Sequence, residues 1–340
     1  TSEELGARWG NWSANRFVAK SGIRARRVSR PNQFASDLAV AAAERLFEQT
    51  GLDRRSVDVL VICTQSPDYL LPTTACLVQE RLGLSTRCLA FDMNQGCSGY
   101  IYALSIIRGL LETEQGEQAL LLTADTYTKF IHPDDRSLAP MFGDGAAATL
   151  ITADTNNQPG GSIGPTVLRT DGSGAPHLIY RDSGCHSMAG REPSVNQADT
   201  RHTGHLYMNG PEIFSFALRV VPEVVSEAAT RAGLSLDEID LFLFHQANKF
   251  MLEKLREKLG IDPERFVIDL EDIGNTVSST IPIALKRWLD RTAPQGQTRM
   301  MLVGFGVGLS WGAMVVDWRG NPRIAGIKNE NSRTENLSGG

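Results

Sequence analysis

The sequence predicts an α/β fold made of two related lobes. Two observations carry this: short apolar runs of strand length alternate with stretches of helical periodicity, and motifs of the first half return in the same order in the second. Of the 340 residues, 41% are hydrophobic and 21% charged, which excludes a disordered or fibrous chain. This length allows two domains of ordinary size. A net charge of −5 argues against a dedicated nucleic-acid binder, which needs a basic face. No run approaches the about 20 apolar residues of a membrane span, and no signal-peptide core opens the sequence. The five cysteines (63, 76, 88, 97 and 185) are odd in number and form no CxxC pair. They read as free thiols in a reducing cytoplasm, not as a disulfide framework or a zinc cage.

Taken in order, residues 57–64 (VDVLVICT) form a buried strand, and residues 73–82 a helix with Ala75, Leu77, Val78 and Leu82 on one side. Residues 88–92 are a short strand. Residues 98–111 are a helix apolar almost all round, and therefore buried. Strands follow at 119–124 and 146–152. Strands separated by helices imply parallel pairing. The second half then repeats the first. TGLDRRSVDVLVICTQ (50–65) matches AGLSLDEIDLFLFHQA (232–247), RLG (81–83) matches KLG (258–260), and GAAATLI (145–151) matches GAMVVDW (312–318). Ordered matches at nearly constant offset indicate one unit used twice, with a site between the two copies.

The expected organisation is a lobe over 1–155, a connecting and covering segment over 156–210, a second lobe over 211–319 and a polar tail over 320–340. The covering segment is rich in Gly, Pro, Ser and Asp and is too long for a simple connection. Its histidines (177, 186, 202 and 205) and Cys185 are irregularly spaced, so surface histidines explain them better than a metal site.

Cys97 sits in AFDMNQGCSGYIYALS, between a strand end and a helix start. A thiol at a helix N-terminus is expected to have a lowered pKa, because the macrodipole favours the thiolate. Gly96 permits a tight turn and Gly99 a close backbone approach. Cys63, Cys76 and Cys88 fall inside strand or helix patterns and read as small buried residues. His245, in LFLFHQAN, takes the repeat position of Cys63, and Asn275, in DIGNTVSST, takes that of Cys97. All three residues thus fall at strand ends on one edge of two related sheets, where ligands collect.

GCSGY, FHQAN, IGNT and FGVGLSWG, in this order and at these separations, resemble the β-ketoacyl-acyl-carrier-protein synthase III family of thiolase-like condensing enzymes. GDGAAA (143–148) and HLYMNGPEIF (205–214) strengthen the resemblance, which spans about residues 1–318. It implies a thiolase-like fold of duplicated α/β lobes layered αβαβα, a homodimer, no cofactor and no metal. It also implies the chemistry of fatty acid biosynthesis. Cys97 takes an acyl group from an acyl-CoA or acyl-carrier-protein donor. A malonyl thioester, carried by acyl carrier protein, then decarboxylates and attacks the acyl group, giving a 3-oxoacyl product. His245 and Asn275 are the side-chain donors to the enolate, and the N–H groups of Cys97 and Val307 form the oxyanion hole. Losing one such donor costs roughly a hundredfold to a thousandfold. Family members often carry glycine at the position of Val307.

Several departures bear on relatives and substrates. The turn 304–312 has no second cysteine, which argues against a thiolase, and Gln65 stands where a hydroxymethylglutaryl-CoA synthase carries its acid. The positions where CoA-using relatives carry Trp and Arg are here Arg16 and Phe250, beside Phe17 and Lys249. Lys20, Arg136, Asn248 and Lys249 remain for CoA or carrier binding. Leu71, Met208 and Phe305 are expected in the acyl pocket, with Leu71 at the position that reaches into the partner's pocket, usually Phe. The alternatives are transfer of the acyl group to an oxygen or nitrogen acceptor in a specialised pathway, and an inactive structural partner of a condensing heterodimer. Finally, the chain has no initiating Met, and the family's opening strand, expected to be central in the first sheet, should precede Thr1. Either the numbering omits that strand, or residues 323–327 (RIAGI), which read like it, take its place.

Overall fold

Two four-stranded sheets face each other across a pair of buried helices, with further helices outside each sheet. The computed structural model describes residues 1–153, 160–188 and 204–320. The first lobe runs α1 (Ser2–Trp9), α2 (Ala14–Ser21), α3 (Ala35–Thr50), β1 (Val59–Cys63), α4 (Thr74–Arg81), β2 (Leu89–Met93), α5 (Gly99–Glu112), β3 (Gln118–Asp125) and β4 (Gly145–Thr152). It is followed by β5 (Gly160–Thr170), β6 (Leu178–Tyr180), α6 (Cys185–Met188) and β7 (Leu206–Met208). The second lobe adds α7 (Gly210–Arg231), β8 (Leu241–Phe244), α8 (Lys249–Leu259), α9 (Thr280–Thr292), β9 (Gln297–Gly306) and β10 (Ser310–Arg319).

The sheets have the orders β2-β1-β3-β4 and β5-β10-β9-β8. In each, a parallel pair (β1 with β3, β8 with β9) continues into an antiparallel neighbour, β4 or β10. The repeat read from the sequence is thus a repeat of topology. Strand alternation explains the layers. Val59, Val61 and Cys63 pack inward against α5, while Leu60 and Ile62 pack outward under α3 and α4. Leu241 and Leu243 face the same middle layer, and Phe242 and Phe244 face α7. Helix α5, with Ile101, Leu104 and Ile107 buried, and α9, with Ile281 and Ala284 buried, form that middle layer. The result is the expected αβαβα stack. Each fully buried side chain of this size contributes about 1.5–3 kcal/mol.

Two expectations are revised. Residues 160–170, placed in the covering segment, form β5, an edge strand of the second sheet paired antiparallel to β10. Its glycines and Pro165 hid it. Proline is tolerated here because β5 is an edge strand, and the register shifts between Met314 and Val316 beside it. The first sheet also has no central gap: β1 pairs directly with β2 and β3, and β3 with β4. No internal position is therefore open for an additional strand, and 323–327 lie outside the described residues. Among the described residues, no helix is long and apolar enough to cross a membrane.

Candidate active site

Cys97 lies on the elbow between β2 and α5, immediately before the N-cap Ser98. The Gly99 N–H donates to the Gly96 carbonyl at 2.8 Å and closes the turn. The end of β9 lies tightly against this elbow, which only glycine permits. A Cβ on Gly306 would sit 2.7 Å from Cys97 Cβ and 2.9 Å from its Sγ. A Cβ on Gly96 would fall 2.5 Å from both Gln65 Oε1 and Val307 Cγ1. The backbone N–H groups of Val307 and of Cys97 itself favour negative charge on the sulfur. Non-glycine residues with positive φ are Glu114, Val277 and Ala293 among those described, so Val307 sits in its turn without that strain.

The expectation of a lowered thiol pKa is overturned. Burial pushes Cys97 up to about 12, with the negative charge of Asp125 adding to it and the two N–H groups opposing it. The elbow places the sulfur at a helix N-terminus, but the fold also closes it from water at 7% exposure. Desolvation outweighs the local dipole.

His245 follows β8, and its own N–H is held by the Val303 carbonyl at 2.7 Å. Gln246, fully buried, fixes the chain here: its amide donates to the carbonyls of Phe244 and Val267 and accepts from the Asp269 N–H. The His245 ring stands edge-on to Phe305, and Nδ1 lies 2.7 Å from Thr280 Oγ1. Burial lowers its pKa to about 3, so the ring rests neutral. Asn275 arrives from the loop before α9. Its N–H donates to the Met141 carbonyl, its carbonyl accepts from Gly143 N–H, and its Oδ1 accepts from Val277 N–H at 2.9 Å. The GDGAAA segment of the first lobe therefore grips the asparagine of the second.

Cys97, His245 and Asn275 line one cavity of about 560 Å³, with Phe305 and Gly306 beside them. Met208, Lys20 and Asn248 line it too. Phe17, Phe214 and Phe250 also contribute. Phe214 stacks on Phe250 at 5.4 Å, and Lys20 Nζ lies 5.2 Å from the centre of the Phe250 ring. Leu71 is not part of this wall: it projects from the surface, 83% exposed, next to exposed Tyr69 and Leu70. Arg136 is also outside it, donating to Asn11 Oδ1 at 2.8 Å, and Lys249 opens α8 without lining the cavity.

Sequence reasoning missed the carboxylate between the lobes. Asp125 ends β3, fully buried, and accepts from the Gln65 N–H at 2.8 Å and the Ser278 hydroxyl at 2.5 Å. Burial outweighs these donors and pushes it up to about 7. Gln65, singled out only as a substitute for Glu, accepts from the Tyr127 hydroxyl at 3.1 Å. The one available signal was a lone carboxylate closing the apolar run ALLLTAD.

Comparison with known proteins places the chain among named relatives. Residues 91–172 match the family model for 3-oxoacyl-[acyl-carrier-protein (ACP)] synthase III, and residues 229–318 match that for its C-terminal part. A β-ketoacyl-[acyl-carrier-protein] synthase III of Clostridium perfringens is 35% identical over 299 residues, covering 87% of this chain and 88% of the relative. One from Symbiobacterium thermophilum is 34% identical, covering 88% of each. Among solved structures, a 3-oxoacyl-(acyl-carrier-protein) synthase III superposes with a TM-score of 0.87 at 43% identity, covering 94% of this chain and 95% of that one. A 3-oxoacyl-(acyl-carrier protein) synthase of Burkholderia xenovorans gives 0.83 at 34%, covering 94% and 89%. Similarity sustained over nearly the whole length of both chains leaves one assignment: the chain belongs to the β-ketoacyl-acyl-carrier-protein synthase III family.

Proposed function

We propose that this chain forms an acyl-enzyme on Cys97 and condenses it, with loss of CO2, with a malonyl thioester to give a 3-oxoacyl product. The observation that carries this reading is the meeting of Cys97, His245 and Asn275 in one apolar cavity, where the N–H groups of Val307 and Cys97 favour negative charge on the sulfur. In the first half-reaction the sulfur attacks the acyl carbon of an acyl-CoA or acyl-carrier-protein thioester. The carbonyl oxygen becomes an oxyanion held by the N–H groups of Cys97 and Val307, and the departing thiol leaves with a proton. In the second, the malonyl C–C bond breaks and its electron pair forms an enolate. Asn275 and His245 stabilise the enolate oxygen. The enolate attacks the acyl carbon, the Cys97–acyl bond breaks, and the one proton consumed ends on the sulfur.

The acyl chain lies along the wall of Met208, Phe305 and Phe214, with the carrier arm leaving past Lys20 and Asn248. Acyl carrier protein is the partner for the malonyl group. We read the chain as a homodimer in which the exposed tip of Tyr69, Leu70 and Leu71 enters the partner's acyl pocket, and as a cytoplasmic enzyme of fatty acid biosynthesis. Its five unpaired cysteines fit that compartment.

The half-reactions separate by substitution. Cys97→Ala abolishes acyl labelling. Asn275→Ala keeps labelling and loses condensation by roughly a hundredfold or more. Labelling lost in folded Asn275→Ala as completely as in Cys97→Ala contradicts the assignment of Asn275 to the second step.

A further inference from the structure

Beside the site is a peptide unit in an unfavourable conformation. Val277 is β-branched, yet its φ is +54°, a region such residues rarely enter without surrounding constraint. Its two backbone groups each engage a residue of the site. The Val277 N–H donates to Asn275 Oδ1 at 2.9 Å, which fixes the amide so that the Nδ2 donors are free for the cavity. The Val277 carbonyl accepts from the Thr280 hydroxyl at 3.1 Å. The next residue anchors the loop to the other lobe, since the Ser278 hydroxyl donates to Asp125 Oδ2 at 2.5 Å.

The hydroxyl of Thr280 has one proton. A carbonyl only accepts, so that proton points at Val277. The same oxygen lies 2.7 Å from His245 Nδ1, and both contacts hold only if Nδ1 carries a proton and donates it to Thr280. Thr280 is fully buried, so no water competes for either bond.

We infer that Thr280 is a positioning residue that holds neutral His245 as its Nδ1–H tautomer, leaving the Nε2 lone pair for the cavity. The resting imidazole is then a base toward Cys97 and not yet a donor. This rests on the acyl-enzyme reading above. In acylation the Cys97 S–H proton passes to Nε2 as the sulfur–carbon bond forms. When the donor's carbon–sulfur bond breaks, that proton moves to the departing thiolate and the ring returns to its Nδ1–H form. In condensation the negative charge developing on the enolate oxygen offsets the burial that keeps the ring neutral, and Nε2 then takes from solvent the one proton consumed. The ring then donates to the enolate oxygen, and the same proton ends on the Cys97 sulfur as the acyl bond breaks.

A merely structural role for Thr280 makes a different forecast from a tautomer role. Thr280→Val keeps the shape and removes the acceptor, so the ring shifts toward Nε2–H. Nitrogen NMR of uniformly labelled protein, with the signal assigned by loss in His245→Ala, should show protonated Nδ1 and bare Nε2 in the native chain. In Thr280→Val the two should exchange roles. Acyl labelling of Cys97 should fall about a hundredfold, the scale of a general base. Malonyl decarboxylation by pre-acylated Thr280→Val should fall by less than tenfold, since Nε2–H already donates. Thr280→Ser should restore both the NMR pattern and the labelling rate. Native Nε2–H with bare Nδ1, or unchanged labelling in Thr280→Val, overturns the inference. Absence of any adduct on Cys97 in the native chain instead overturns the function on which it rests, and the NMR readout is independent of that result.

Discussion

Gly306→Ala tests how closely the reactivity of Cys97 depends on its seat. The added methyl would stand 2.7 Å from Cys97 Cβ and 2.9 Å from Sγ, whereas carbon atoms settle about 3.5–4.0 Å apart. Relief therefore needs a movement of about 1 Å. The backbone of Gly306 is not left-handed, so alanine adds no dihedral strain and the effect is steric alone. Either β9 or the elbow gives way. At Gly306 the strand is paired to Ser310 of β10, and β8 holds β9 as far as Val303, so the strand resists and the sulfur takes up much of the movement. Overpacking of this kind costs about 1–3 kcal/mol of stability. A displacement of about 1 Å at a reacting atom costs about a hundredfold in rate. The assay is time-resolved labelling of Cys97 by an acyl-CoA, read by mass spectrometry, beside a urea unfolding curve. Native labelling rate together with native stability would refute the claim that β9 fixes the nucleophile.

The remaining predictions follow from the same geometry. Gly109→Ala, in an exposed turn of α5 with no atom within 4 Å of the added carbon, should stabilise by about 0.5–1 kcal/mol and leave labelling unchanged, measured by the shift of the urea midpoint. Because burial holds the thiol near 12, iodoacetamide alkylation of Cys97 should rise about tenfold per pH unit from pH 6 to 9 without levelling; a plateau below pH 8 contradicts this. Asp125, at about 7 in the fold against 3.8 in the unfolded chain, binds more protons when native across that window. Stability should therefore fall as pH rises from about 4 to 7, by up to roughly 4 kcal/mol, and Asp125→Asn should remove that slope in urea curves taken across the range.

What the sequence revealed and what it hid divide on physical grounds. The strand periodicity at 57–64 and its echo at 239–244 were legible because alternation and burial act on neighbouring residues. Cys97, His245 and Asn275 were legible because a duplicated unit puts equivalent strand ends on one edge. The thiol pKa was not, because the helix N-terminus is local while the closure by Gly306 and Phe305 is tertiary. Asp125 was hidden because its partners Gln65 and Ser278 are far away in sequence. Strand β5 was hidden because its Gly and Pro residues follow edge-strand rules, and an edge is defined only by the assembled sheet.

The central claim is that Cys97 carries the acyl group that malonyl carbon then takes. The most direct measurement is a single-turnover experiment on the native chain. The protein is loaded from an isotopically labelled acyl-CoA, freed of excess donor and mixed with malonyl-acyl carrier protein. Mass spectrometry then follows both the Cys97 peptide and the carrier. The account predicts one labelled acyl group on Cys97, its loss on mixing, and its appearance at the same rate in a 3-oxoacyl carrier with release of one CO2. A label on another residue, or one that stays on Cys97 while product forms, would contradict it.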